Sequence, residues 1–286
     1  MKPVLAAAVA AAMLSSGCLR TIAVSTVGGI VDEGFSAFTE EADLDFAEKA
    51  LPGNLKLLEV MLKNDPDNTK LLCLASEGYC SYALAFLEDS DPVRAREFYL
   101  RGKDFGMRIL RQDDELARAL DGSADDLSAV LANRGPDDVP GVFWTAFGLG
   151  SYIYLNMTDP DALADLPRAE AMMQFVARVD SGYYFGGADV FLGTLDASRP
   201  KMFGGDPERA REHFERALRI NGGAFLMTYV YYARSLAVQT QNQGLFEGLL
   251  GKVDSASIDI LPSFRLANAV AKKKAQLLRA KESELF

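Results

Sequence analysis

The chain has 286 residues, 49% of them hydrophobic, and carries 40 acidic against 30 basic side chains for a formal net charge of −10. That hydrophobic share excludes general disorder and is enough for one large or two modest domains with a substantial core. The acidic balance argues against a nucleic-acid partner, and three cysteines with a single histidine form no metal-ligating cluster, so neither metal nor cofactor is expected.

Met1-Lys2-Pro3, the apolar stretch from Val4 to Leu14 and then Ser15-Ser16-Gly17-Cys18 follow the layout of an export signal. The apolar stretch is roughly a dozen residues, too short to cross a bilayer as a helix. A cysteine directly after Ser-Ser-Gly resembles the bacterial lipobox, in which cleavage precedes the cysteine and the thiol takes a diacylglycerol, although Leu14 stands four residues before Cys18 where three is commoner. Residues 1–17 are therefore expected to be a lipoprotein signal peptide, 18–35 a tether lipidated at Cys18, and 36–286 the folded body. A plain secretory peptide with an incidental cysteine is the alternative. Leu19 rather than an aspartate after the cysteine favours, by analogy with enterobacterial sorting, the outer over the inner membrane. Nothing later offers eighteen consecutive apolar residues, so the lipid is the membrane contact expected of this periplasmic body.

Past the tether the apolar periodicity predicts helices over residues 40–50, 55–63 and 69–88. Cys73 and Cys80 fall seven apart on the third, about 10.5 Å along its axis, beyond disulfide reach, and read as buried small hydrophobes. Further helices are expected over 114–120, 124–132, 139–156, 182–198, 224–238, 245–253 and 264–281, separated by Gly and Pro. No period-two run is long enough to propose a sheet.

A repeat organises these elements. Asp91-Pro92-Val93-Arg94-Ala95-Arg96-Glu97-Phe98-Tyr99 matches Asp206-Pro207-Glu208-Arg209-Ala210-Arg211-Glu212-His213-Phe214 at six of nine positions, and a weaker copy begins at Asp165-Leu166-Pro167-Arg168-Ala169. Each copy opens on an aspartate at the N-cap position, and in two of them proline takes the first helical position, where its missing N–H is harmless. Ala95, Tyr99 and Gly102, Ala169, Met173 and Val176, and Ala210, Phe214 and Ala217 recur at i, i+4 and i+7, one face of a helix. That spacing marks the second helix of tetratricopeptide repeats. The chain is accordingly expected to be all-α, an irregular tetratricopeptide-like helical repeat array forming a solenoid or bundle. A generic helical bundle is the competing reading of the same spacing.

In this order along a lipoprotein-like chain, several stretches resemble the TRAP transporter T-component family: Gly53 to Glu59, Leu84 to Gly102, Val142-Phe143-Trp144, Phe191 to Leu195, Gly204 to Glu208, Tyr231 to Gln241 and Arg265 to Ala269. The resemblance implies a homotrimer with a channel through each protomer, in complex with the solute-binding P subunit of a tripartite ATP-independent periplasmic transporter. It implies no catalytic motif. A scaffold lipoprotein for outer-membrane protein assembly, holding polypeptide in a groove, is the alternative.

Enzyme chemistry finds little footing. Asp113-Asp114, Asp125-Asp126 and Asp137-Asp138 each precede an expected helix and read as solvated caps, and the Gly pairs follow no strand that would make a phosphate loop. Lys272-Lys273-Lys274, Arg279 and Lys281 gather near the end of the last helix, where cations meet its dipole favourably; contact with anionic lipid or a partner is the second reading. The candidate ligand or partner contacts are aromatic: Phe143, Trp144, Tyr183, Tyr184, Phe203, Tyr231 and Tyr232, rings able to stack on an organic ligand, a small apolar one being expected. Core packing is the competing fate of each.

Overall fold

The computed structural model describes residues 35–199, 202 and 204–286. Cys18, the signal segment, nearly all of the tether and Phe203 lie outside the described residues. Among the described residues there are helices and turns and no strand.

The helices are α1 (Leu44–Asn64), α2 (Thr69–Tyr82), α3 (Pro92–Leu110), α4 (Asp114–Asp121), α5 (Ala124–Leu131), α6 (Val139–Tyr154), α7 (Pro160–Ala164), α8 (Leu166–Val179), α9 (Gly187–Ser198), α10 (Pro207–Asn221), α11 (Met227–Tyr232), α12 (Gln243–Ser255), α13 (Arg265–Ala280) and α14 (Glu282–Leu285). Most expected boundaries hold to within a few residues. The exception is α1, one continuous helix where two were expected, with Pro52 in its interior. Proline removes the bond that its N–H would make to the carbonyl of residue 48. The Tyr82 hydroxyl donates to that Glu48 carbonyl at 3.3 Å, so the orphaned acceptor is satisfied from the neighbouring helix and the break does not occur.

Two of the three acidic pairs serve at helix starts, whereas Asp138 stands at the N-cap of α6 without a side-chain cap bond to it. Asp113 accepts the N–H groups of Glu115 and Leu116, and Ser123 with Asp126 forms a capping box on α5. Asp91 and Asp206 cap α3 and α10, each followed by proline. Asp165 departs from expectation: it stands at the N-cap of α8 but caps no N–H and pairs instead with Arg168. Its ψ of −5° lies in the helical region, turning the side chain from the extended cap geometry.

All nine positions of the repeated face are buried. Their small residues set how close the helices come. Gly193 on α9 lies where a β-carbon would meet the Ala210 carbonyl oxygen and the Phe214 ring of α10 at 3.1 and 3.2 Å. The same pair is joined by polar groups: buried Asp189 accepts from His213 Nδ1 at 2.6 Å and from Arg216 at 2.9 Å, while Arg209 holds Asp196 through two nitrogens. Cys73 and Cys80 are both unpaired thiols, but only Cys80 is fully buried; Cys73 is partly exposed, and burial still pushes its thiol up to about 12.

The buried side chains form two cores. One runs from α1 through α9 and holds Tyr79, Tyr99, Phe143 and Trp144; the other is built on α9 to α13 around Phe214, Phe246 and Leu250. They do not close completely on each other.

Candidate functional site

Between the two cores lies a cavity of about 200 Å³. Its walls come from α1, α2, α6, α9, α11 and α13, and they are overwhelmingly apolar.

One wall is an aromatic cage. Tyr184 is its centre, with ring centroids 4.8 Å from Trp144, 5.7 Å from Phe143, 5.9 Å from Phe225 and 6.0 Å from Phe264. The backbone at this point is unusual: Tyr184 (φ 45°), Phe185 (φ 61°) and Gly186 (φ 80°) are all left-handed, a conformation costing about 1–3 kcal/mol for each non-glycine residue. The surroundings hold it in place. Asn221 donates to the Phe185 carbonyl at 3.1 Å, and the Phe185 ring lies stacked on Phe225 with centroids 4.7 Å apart. Burial pushes the Tyr184 hydroxyl well above the ordinary phenol value, so it stays neutral. Trp144 is buried with its indole Nε1 outside hydrogen-bond geometry with any acceptor among the described residues; the Tyr183 hydroxyl is its polar neighbour.

The lining also carries one cation among the described residues, Arg234. It and its partner Glu88 stand at two π-helical turns, Ala83–Leu87 continuing α2 and Ala233–Ala237 continuing α11, each widening its helix by one residue. Such turns recur at functional sites because they re-aim the side chains beside them. Arg234 Nη1 donates to Glu88 Oε1 at 2.8 Å, Tyr99 donates to Glu88 Oε2 at 2.6 Å, and Lys274 lies 3.4 Å from Glu88 and 2.6 Å from Asp89. Burial alone would raise the Glu88 carboxyl, but the Arg234 and Lys274 charges, with hydrogen bonds from Tyr99 and Arg234, hold it down at about 2. The guanidinium carbon lies over the rings of Tyr231 and Tyr154, 4.1 and 4.9 Å from their centroids.

The structure thus brings Phe143, Trp144, Tyr184 and Tyr231 to one cavity. Tyr183 packs edge-on against Phe143 without lining the cavity, and Tyr232 points the other way, stacked on Phe214 at 4.7 Å within the second core. Adjacent residues on a helix diverge by about 100°, so Tyr231 and Tyr232 cannot share a wall. The lysine run is also corrected. Lys274 is 4% exposed and turned inward onto Glu88 and Asp89, while Lys272 and Arg279 bind Asp254, the first through its carbonyl and the second through its carboxylate. Sequence reasoning missed Glu88, Tyr154, Phe225 and Arg234, and it read Lys274 as part of an exposed basic run. A single arginine inside the apolar run Tyr231 to Ala237 was the available signal, because such a charge is buried only with a partner.

Among the described residues no three His, Cys, Asp or Glu side chains gather as a metal site, and no helix is long and apolar enough to cross a membrane. Fold and site together define an all-helical protein with an apolar interior cavity bordered by a buried ion-pair network. The chain belongs to the TRAP transporter T-component family, whose family model matches residues 40–286. No match was found among curated proteins.

Proposed function

We propose that this protein is the lipid-anchored periplasmic T component of a TRAP-type transporter, which docks the solute-binding P subunit and holds a small apolar ligand in the cavity between its two cores. The observation that carries the reading is the cavity itself, in a member of the T-component family: a concave, overwhelmingly apolar space of about 200 Å³ with a few polar groups at its border has the character of a small-molecule site. The helix pairs α2–α3, α6–α8 and α9–α10, with their small residues at the contact, support a reading as irregular tetratricopeptide-like repeats, and such arrays present concave surfaces to protein partners. Cys18 supplies the anchor, with the outer membrane as destination. The body performs no chemistry in this reading.

The test is co-purification. The full chain, expressed with the solute-binding protein encoded beside it, is expected to retain that partner through affinity capture and gel filtration. Trp144→Ala or Tyr184→Ala is expected to weaken ligand or partner binding more than it lowers thermal stability. A chain that ignores the binding protein but retains unfolded outer-membrane polypeptide overturns the transporter reading in favour of the scaffold one.

A further inference from the structure

We propose that the helical turn of residues 35–39 is a door: Phe35 and Phe38 close one end of the cavity, Thr39 latches them shut, and an apolar ligand enters and leaves when the turn swings out. This rests on the cavity being a ligand site and adds to that reading the route by which the ligand reaches it.

The cavity is elongated. Its lining runs from Gly78 to Glu88 along α2 and the π turn that continues it, and from Trp144 to Tyr154 along α6, ten positions in each case and so roughly 15 Å. At the end marked by Glu88 and Tyr154 the lining includes the exposed Met157 and Leu163, but also the Arg234–Glu88 ion pair, which a molecule without polar groups cannot solvate in passing. The other end lies beside the aromatic cage, under Phe35 and Phe38. These two residues are three apart, so both rings leave the same side of the turn, while Ser36 and Ala37 are exposed. Gly78 makes room for the stopper: a β-carbon there would stand 3.3 Å from the Phe35 ring and 2.6 Å from Leu55 Cδ2.

The latch is built to release. The Thr39 hydroxyl has two carbonyls in reach, Ser263 across the opening at 2.7 Å and Ser36 within the turn at 2.9 Å, and a single hydrogen to give. Closed, it bonds Ser263; open, it falls back on Ser36, which travels with it. Opening therefore strands no donor, and the carbonyl of the exposed Ser263 takes water. The backbone bonds of the turn are local as well, from the Glu40 N–H to Ser36 and from the Glu41 N–H to Phe38, so they survive the swing. The non-helical residues 41–43 join the turn to α1 and form the hinge, braced on the α1 side by Asp43, whose carboxylate caps that helix.

The experiment uses the full chain carrying Cys18→Ser, which keeps protein-bound acyl groups out of the measurement. Trp144 is the only tryptophan of the chain and lines the cavity, so energy transfer from it to the neutral probe N-phenyl-1-naphthylamine reports bound probe. In stopped-flow mixing the association rate of the parent is expected to level off at high probe concentration, at the rate of opening. Thr39→Val, which keeps the shape and removes the hydroxyl, is expected to speed association and dissociation together by about fivefold, the equivalent of one hydrogen bond, with affinity changed by less than about twofold. Thr39→Ser is expected to restore the parent rates. Equal rates in Thr39→Val and the parent overturn the door and leave the ligand site standing, entered from the Tyr154 end. Faster dissociation alone, with affinity falling in step, makes Thr39 a packing contact and overturns the door equally. No energy transfer at all overturns this inference and the ligand-holding part of the proposed function; docking of the P subunit is decided separately by co-purification.

Discussion

At the residue scale Glu88 concentrates the electrostatics of the molecule. Its side chain is 6% exposed, and it is ionised only because Arg234, Lys274 and Tyr99 converge on it. Its carboxyl falls from the ordinary 4.5 to about 2 on folding. A group depressed in this way contributes stability that is present above its unfolded value and is lost as pH falls through the folded one. The contribution is on the order of 3 kcal/mol at neutral pH. Glu88→Gln, which cannot ionise, is expected to be less stable than the parent at pH 7, with the gap closing as pH falls from about 5 toward 2. Urea unfolding across that range measures it, and a gap independent of pH would mean that Glu88 is not ionised in the folded protein. Removing Arg234 outright is the harsher change, because it leaves a buried carboxylate with one cation fewer.

At the element scale the repeated Asp-Pro-x-Arg-Ala pattern was readable because its reasons are local: an aspartate satisfies the first N–H groups, proline takes a position needing none, and the i, i+4, i+7 face must bury itself. Ala210 is the sharpest test of that register. It is fully buried on α10 against Gly193 of α9, so Ala210→Phe forces a ring into a backbone-to-backbone approach and is expected to destabilise the fold by roughly 1–3 kcal/mol. Differential scanning calorimetry should record this as a melting point lower by several degrees, at about 2–4 °C per kcal/mol for a body of this size. An unchanged melting point would place Ala210 at the surface. Two element-level features had no local signature. Pro52 reads as a helix break, and only the Tyr82 hydroxyl from a neighbouring helix makes a continuous α1 tolerable. The π turns at Ala83–Leu87 and Ala233–Ala237 lie in ordinary helix-forming sequence, and they fall where Glu88 and Arg234 meet.

At the scale of the whole molecule the trimer that the resemblance implies is the assembly question, and it is independent of the cavity. The Cys18→Ser chain is expected to sediment at three times its protomer mass at micromolar concentration, with dissociation on dilution as mass action requires. A monomer that still captures the P subunit would remove the trimer and leave docking intact, because docking requires only one protomer's surface. Helix content, most cap positions, the buried repeat face and family membership were determined by the sequence itself, since each follows from interactions between residues a few positions apart or from ordered motifs along the chain. The cavity was decided only by the tertiary structure. Phe143, Trp144, Tyr184 and Tyr231 could be named from composition, but which of two adjacent tyrosines faces inward depends on helix rotation set by distant contacts, so Tyr231 lines the space and Tyr232 stacks on Phe214. The ion-pair network depends on the fold still more: Glu88 and Lys274 stand 186 positions apart, and no pattern within either segment encodes the partner that makes burying its charge tolerable.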